Sequence, residues 1–236
     1  GVIFYDGNKV TNVFEGKLPK EYSRYLDRYL DGMYLLDPHY SFLSNGVETG
    51  LYHFKDIEPD CFHESKYYKS FVKPIGITDE YDFIVNINNC YVDFYLNKLG
   101  GHFSQQDKAD LIAISPMITQ LIEAHWEQEY QQASESVSNT KPPHYNSFFD
   151  AFGKSILTKR EQEVVKCILH GHSSKSLASK LNISLSTVKI HRKNIYQKLD
   201  IATQSELFSL CIQSLSVKGL DVNDDPLQYL DNKQAS

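Results

Sequence analysis

The chain has 236 residues, 41% of them hydrophobic and 23% charged, and a formal net charge of -6. That length holds one large domain or two smaller ones with a genuine apolar core, and two are expected. No run approaches the roughly 18 consecutive apolar residues that span a bilayer, and "GVIFYDGNKV" lacks the basic, apolar, small-residue order of a signal peptide, so a soluble cytoplasmic protein without a membrane partner is expected.

Gly1 in place of Met reads as a processed start. Cys61, Cys90, Cys167 and Cys211 lie far apart with no C-x-x-C pair, which argues against a disulfide framework or a zinc module. They are expected to be reduced, mostly buried thiols. His53, Cys61 and His63 follow no ligand spacing, so no metal and no cofactor is expected.

In "KEYSRYLDRYLDGM" the residues Tyr22, Tyr25, Leu26, Tyr29, Leu30 and Met33 recur at helical spacing and predict an amphipathic helix that ends by Asp37-Pro38. A shorter helix is predicted over residues 65–72. The runs "EYDFIVNI" and "CYVDFYLNK" are rich in β-formers, and Asn88-Asn89 between them suits a tight turn, so residues 80–98 predict a β-hairpin. Ser104 and Asp107 mark the start of a long helix reaching about residue 130. Leu111, Ile114, Ile118 and Leu121, with His125 next, form its apolar seam, to cover a sheet or to meet a second copy. Helices flanking a sheet imply an α+β fold whose first domain is layered α/β/α. The polar, Ser-rich stretch at 131–147, broken by Pro142 and Pro143, predicts a linker.

Beyond it the charge reverses. Residues 154–202 hold ten Lys/Arg against three Asp/Glu, a balance of +7, whereas residues 1–153 hold twelve against twenty-two, a balance of -10. A basic module joined to an acidic one points to a polyanion partner for the C-terminal part alone. "TKRE" at 158–161 is a capping box, followed by the apolar stripe Val164, Val165, Ile168 and Leu169 and by Gly171 at the helix end. Ser173 or Ser174 opens a short helix with Leu177, Ala178 and Leu181 inward. "NIS" at 182–184 is a turn, and Ser184 caps "LSTVKIHRKNIYQK". "TQSE" at 203–206 starts a fourth helix with Leu207, Leu210, Cys211 and Leu215 apolar. In the third helix Val188, His191, Ile195 and Leu199 share one face, while Ser186, Lys189, Ile190, Lys193 and Gln197 share the other. Two helices joined by a short turn, the second of them basic, predict a helix-turn-helix rather than a merely solvated charged helix.

"LTKREQEVVKCILHGHSSKSLASKLNISLSTVKIHRKNIYQKLDI", residues 157–201, closely resembles the LuxR-type (NarL-type) helix-turn-helix, whose pattern runs L-T-x-R-E-x-E-V, G-x-S, I-A-x-x-L-x-I-S-x-x-T-V-K-x-H-x-x-N-I-x-x-K-L. The departures are Ser176-Leu177, where the family has Glu-Ile, and Asp200, where it has Gly. A sigma-factor DNA-binding region shares much of this pattern but ends near the reading helix, whereas here a fourth capped helix follows. The resemblance implies base-edge contacts from Lys189, Ile190 and Lys193 and phosphate contacts from Lys175, Thr187, Arg192, Asn194 and Lys198. It also implies double-stranded DNA as partner, a homodimer formed near Thr203–Leu215, RNA polymerase as a further partner, and no enzymatic activity.

The first domain holds twenty-two Tyr and Phe up to residue 133. "VIFYDGNKV" offers no acidic pair of a phosphorylated receiver. "YSRYLDRYLDGMYLLDP" loosely resembles an acyl-homoserine-lactone binding domain, with Tyr25, Tyr29 and Asp37 at the matching positions. "DGMYLLDPHY", "GLYHFKDIEPDCFHESKYY", "GITDE" and "FSQQDKADLIAISPMITQLIEAHW" are more similar to regulators with a GAF- or PAS-like sensor. A small-molecule effector held by aromatics and by Asp37, Asp79 or Glu80 is expected, with an acyl-homoserine lactone or a ligand-free protein-interaction role as alternatives. The expected organisation is a sensor over 1–132, a linker over 133–150, the four-helix DNA-binding domain over 151–216, and a polar acidic tail over 217–236.

Overall fold

The computed structural model describes residues 1–6, 9–14, 16, 23–88, 90–134, 147–215, 217 and 224–230. The chain folds into two compact units: Gly1–Leu30, His39–Glu58 and Ile75–Tyr145 form the first, and Asp31–Pro38, Pro59–Pro74 and Asn146–Ser236 the second. Elements run in the order β1 (Val2–Asp6), β2 (Lys9–Phe14), α1 (Ser23–Leu30), a 3-10 turn at Met33–Leu36, α2 (Pro38–Leu43), β3 (Gly50–His53) and α3 (Phe54–Ile57). A 3-10 turn at Phe62–Glu64 and a π-helical turn at Tyr68–Val72 lead into α4 (Lys73–Ile75). Then come β4 (Ile77–Ile87), β5 (Cys90–Leu99) and α5 (Gln105–Ser134).

The first unit is built on a five-stranded antiparallel sheet of order β2-β1-β5-β4-β3. Its centre is the expected hairpin: Asn88 takes a left-handed φ of 53° at the turn, while Asn89 lies outside the described residues. Strand period two then sorts the side chains. On one face Tyr81, Phe83, Val85, Ile87 and Val92 are buried against α5, which contributes the buried Leu111 and the half-buried Ile118, Ile122 and Trp126. On the other, α1 and α2 supply the cover. The Tyr29 and Tyr5 hydroxyls lie 3.0 Å apart, and the Tyr40 ring is 6.1 Å from that of Tyr5. His39 Nδ1 lies 3.4 Å from Asp93 Oδ2. Burial pushes the His39 imidazole down to about 4, so it is neutral at neutral pH.

Two local expectations are corrected. On α5 the sheet-facing stripe is Leu111, Ile118, Ile122 and Trp126, whereas Ile114 and Leu121 are exposed, at 40% and 60%. The 3.6-residue period carries every second step of a 3-4 seam off the sheet. The helix predicted through Met33 stops at Leu30, because Gly32 turns to a φ of 124° before the 3-10 turn; Tyr22 lies outside the described residues.

The second unit contains α6 (Ser147–Ala151), α7 (Lys159–Leu169), α8 (Ser174–Lys180), α9 (Leu185–Lys198) and α10 (Gln204–Leu215), then a 3-10 turn at Pro226–Tyr229. Val164, Val165, Ile168, Leu177, Val188, Ile195, Leu207 and Cys211 make its core. Segments from the first half of the chain complete it. The buried His170 ring lies with Nε2 3.0 Å from the Leu35 carbonyl oxygen, and the Cys61 amide donates to Gly171 O at 3.1 Å. Gly171 has a φ of 93°, and a Cβ there would stand 3.1 Å from Phe62 Cα. Within the stretch read as a polar tail, Asp225 is buried and accepts from the Gly153 and Ser155 amides, each at 2.9 Å. All four cysteines are free thiols; Cys90, Cys167 and Cys211 are buried and Cys61 is half-buried.

Candidate nucleic-acid interface

The interface is assembled by caps. Thr158 and Glu161 close the capping box of α7: the Thr158 amide donates to Glu161 Oε2 at 2.8 Å and the Glu161 amide to Thr158 Oγ1 at 3.3 Å. Ser173 accepts from the Ser176 amide at 3.1 Å and starts α8. Ser184 accepts from the Thr187 amide at 3.1 Å and starts α9. Between α8 and α9 the turn depends on Asn182, whose φ of 52° an L residue other than Asn or Asp rarely adopts. Arg160 of α7 donates to the Leu181 carbonyl and anchors that turn. At α10 the Glu206 amide donates to Thr203 Oγ1 at 3.2 Å, while the Glu206 carboxylate accepts from the Thr203 hydroxyl at 3.0 Å and from the Ala202 amide at 2.7 Å.

Held this way, α9 has two distinct faces. Val188 and Ile195 are fully buried, His191 and Leu199 half-buried. Ser186, Lys189, Ile190, Lys193 and Gln197 are all exposed, Ile190 at 58%, and form one stripe of cations, polar groups and a bare aliphatic side chain. A single α-helix of this kind fits the ~12 Å major groove, where Lys donates to guanine O6 or N7 and an aliphatic group meets the thymine methyl.

The candidate phosphate contacts divide. Lys175 is exposed; Thr187 and Asn194 are half-buried beside the stripe. Arg192 is turned inward, donating to Tyr196 Oη at 3.2 Å, Ser174 Oγ at 3.4 Å and Gln204 Oε1 at 3.5 Å, so it ties α8, α9 and α10 together. Lys198 donates to Glu161 Oε2 at 2.7 Å. Burial works to raise the Glu161 carboxyl, but the Lys198 ammonium and the Thr158 donors outweigh it and hold it below the ordinary carboxylate value.

One contact has no sequence signal at all. Asp60, 113 residues before Ser173, accepts from the Ser173 amide at 2.9 Å and from its hydroxyl, at the start of α8. Among the effector candidates, Tyr25 is half-buried, with the Arg24 guanidinium 5.2 Å from its ring centroid, and Tyr29 is buried against Tyr5. Asp79 lies within the first unit and anchors its own neighbourhood: His53 Nε2 is 2.7 Å from Oδ1, and the Phe103 amide donates to Oδ2 at 2.8 Å. Burial works to raise its carboxyl, yet the His53 and backbone hydrogen bonds hold it below the usual range. Glu80 is half-buried beside it. Asp37 belongs to the second unit, where its amide donates to Tyr34 O at 3.1 Å.

A short capped helix, a tight turn and a second helix with one buried and one exposed basic face define a helix-turn-helix DNA-binding domain. Residues 155–211 match the family described as "Bacterial regulatory proteins, luxR family". The C-terminal segment is therefore a LuxR-family helix-turn-helix, and the relatives that share it are regulators of transcription, not enzymes. The chain is 25% identical over 186 residues to an HTH-type transcriptional regulator of the exeN 3′ region in Aeromonas salmonicida, covering 76% of this chain and 94% of that protein. It is 46% identical over 55 residues to the monoamine regulon transcriptional regulator of Klebsiella aerogenes, about a quarter of either chain, at 23% and 24%. Among solved structures it is similar to the VqsR LBD domain from Pseudomonas aeruginosa, with 22% identity, a TM-score of 0.44, and 52% of this chain and 73% of that one covered. Among the described residues no helix is long and apolar enough to cross a membrane.

Proposed function

We propose that this protein binds operator DNA sequence-specifically as a homodimer through α9 of each copy, under the control of a small effector sensed by the first unit. The observation that carries the reading is the exposed stripe of α9 set against its fully buried Val188 and Ile195. Lys189, Ile190 and Lys193 read bases; Lys175, Thr187 and Asn194 hold phosphates and fix register. Arg192 and Lys198 act mainly by holding α9 to its neighbours, through Ser174 and Gln204 and through Glu161. The exposed apolar side chains Ile114, Met117 and Leu121, three and four residues apart on α5, supply surface within the first unit for a second copy.

The five-stranded antiparallel sheet, with helices inserted between β2 and β3 and a long helix on its other face, supports a PAS-like sensor. Coupling to DNA follows from connectivity: the chain leaves one unit for the other at Leu30–Asp31, Pro38–His39, Glu58–Pro59 and Pro74–Ile75, and again after α5. A ligand that shifts α1 or α2 therefore pulls on segments that complete the second unit, provided it binds two states with different affinity.

Selection of duplexes from a random pool, followed by anisotropy titration, tests the DNA reading. Lys189→Ala with Lys193→Ala should lose about 1–3 kcal/mol of base discrimination per contact. Lys175→Ala should weaken every duplex alike and reduce the salt slope by about one. Unchanged sequence selection by the double Lys variant would overturn the contact assignment.

A further inference from the structure

Two carboxylates and an imidazole that the DNA reading leaves unused converge inside the first unit. Asp82 sits mid-strand in β4 opposite Tyr95, and Asp93 in β5 opposite Ile84, so both point to the face covered by α1 and α2. His39 enters that face from the first turn of α2. The three residues are 0%, 2% and 3% exposed, and one ligand atom of each lies within 4.8 Å of the others. Helix and strands supply all three, so the set is held by regular backbone rather than by a loop.

We propose that His39, Asp82 and Asp93 form a buried binding site for a first-row divalent transition metal. Two carboxylates this close in a water-poor interior repel each other and lose their hydration, and a doubly charged cation reverses both penalties. An imidazole nitrogen with carboxylate oxygens is a ligand set that such metals accept. The spacing agrees: bonds of about 2.1 Å in a tetrahedral site place ligand atoms about 3.4 Å apart. His39 Nδ1 and Asp93 Oδ2 are separated by 3.4 Å. Three protein ligands leave a fourth position for water. The site does not rest on the effector reading, because metal binding is measured with no DNA and no organic ligand present.

The test uses untagged full-length chain, stripped with EDTA, dialysed against Zn(II), Mn(II) or anaerobic Fe(II), freed of excess and analysed for bound metal and thermal unfolding. One equivalent per chain and a raised unfolding temperature are expected with at least one of the three. His39→Gln, Asp82→Asn and Asp93→Asn should each lower retained metal at least tenfold, whereas His63→Gln should not. The Asp82→Asn and Asp93→Asn chains should lose the rise in unfolding temperature that added metal gives wild type; a rise as large as that of wild type counts against the site. Co(II)-loaded wild type, which needs no variant, should show the visible bands of a four-coordinate nitrogen–oxygen site without thiolate charge transfer. Retention of none of the metals, or undiminished retention in the Asp82→Asn/Asp93→Asn chain, overturns the proposal.

Discussion

Asp200 follows the last turn of α9 with a φ of 51°, at the position where the LuxR pattern carries Gly. A left-handed backbone costs an ordinary L residue about 1–2 kcal/mol, and Asp somewhat less. Asp200→Gly should therefore stabilise the chain by up to about 1 kcal/mol in urea unfolding, offset in part by the greater freedom of Gly in the unfolded state. Gly171 is the opposite case. Its φ of 93° and the Phe62 Cα only 3.1 Å from where a Cβ would sit mean that Gly171→Ala meets both strain and backbone. The loss should exceed about 1 kcal/mol in the same assay. Asp60 tests the start of α8. Burial works to raise its carboxyl, but the Ser173 hydroxyl and amide outweigh that and keep it below the ordinary value. A first helix of a helix-turn-helix crosses the DNA backbone, so an acid placed there opposes phosphate. Asp60→Asn should tighten binding to all duplexes without changing their ranking, as read by anisotropy.

At the scale of elements, the C-terminal helices owe their ends to side-chain caps, and Thr158→Ala should cost about 1 kcal/mol in unfolding free energy. Such local chemistry is why this half of the fold was legible in the sequence: caps, turn residues and apolar stripes lie within a few positions of one another. The β4–β5 hairpin was legible for the same reason, through β-formers on either side of Asn88. β1, β2 and β3 were not expected. β3 has only four residues, and β1 pairs with β5 across some ninety positions, a partnership that no local pattern encodes. Among the site residues, the exposed stripe of α9 follows directly from helical period. The inward turn of Arg192 and the Lys198–Glu161 pair do not, because they depend on how α7, α8 and α10 pack around α9. His39, Asp82 and Asp93 escaped notice because they follow no ligand spacing. The one trace was an Asp at an inward position within each of two β-rich runs.

At the scale of the whole molecule, buried histidine makes stability depend on acid. His170 is fully enclosed, and burial pushes its imidazole from 6.5 to about 3. Below pH 6.5 the unfolded chain takes up a proton that the folded chain refuses, so stability is complete above that value and declines as pH falls toward 3. His172, lowered to about 4 by burial and then by Lys180, acts in the same sense. The slope of unfolding free energy between pH 4 and 6 should fall by about one linked proton in His170→Asn. An unchanged slope would mean that His170 is solvated in the folded state. The same residue also bears on the order in which the protein is made. Its partner carbonyl, on Leu35, precedes it by 135 residues. At about 5–20 residues per second, Leu35 and its neighbours emerge on the order of ten seconds before α7 does. The first unit can begin to fold in that interval, whereas the DNA-reading unit stays incomplete until its last helix has been synthesised. A nascent or truncated chain therefore carries the five-stranded sheet before it carries the helix-turn-helix.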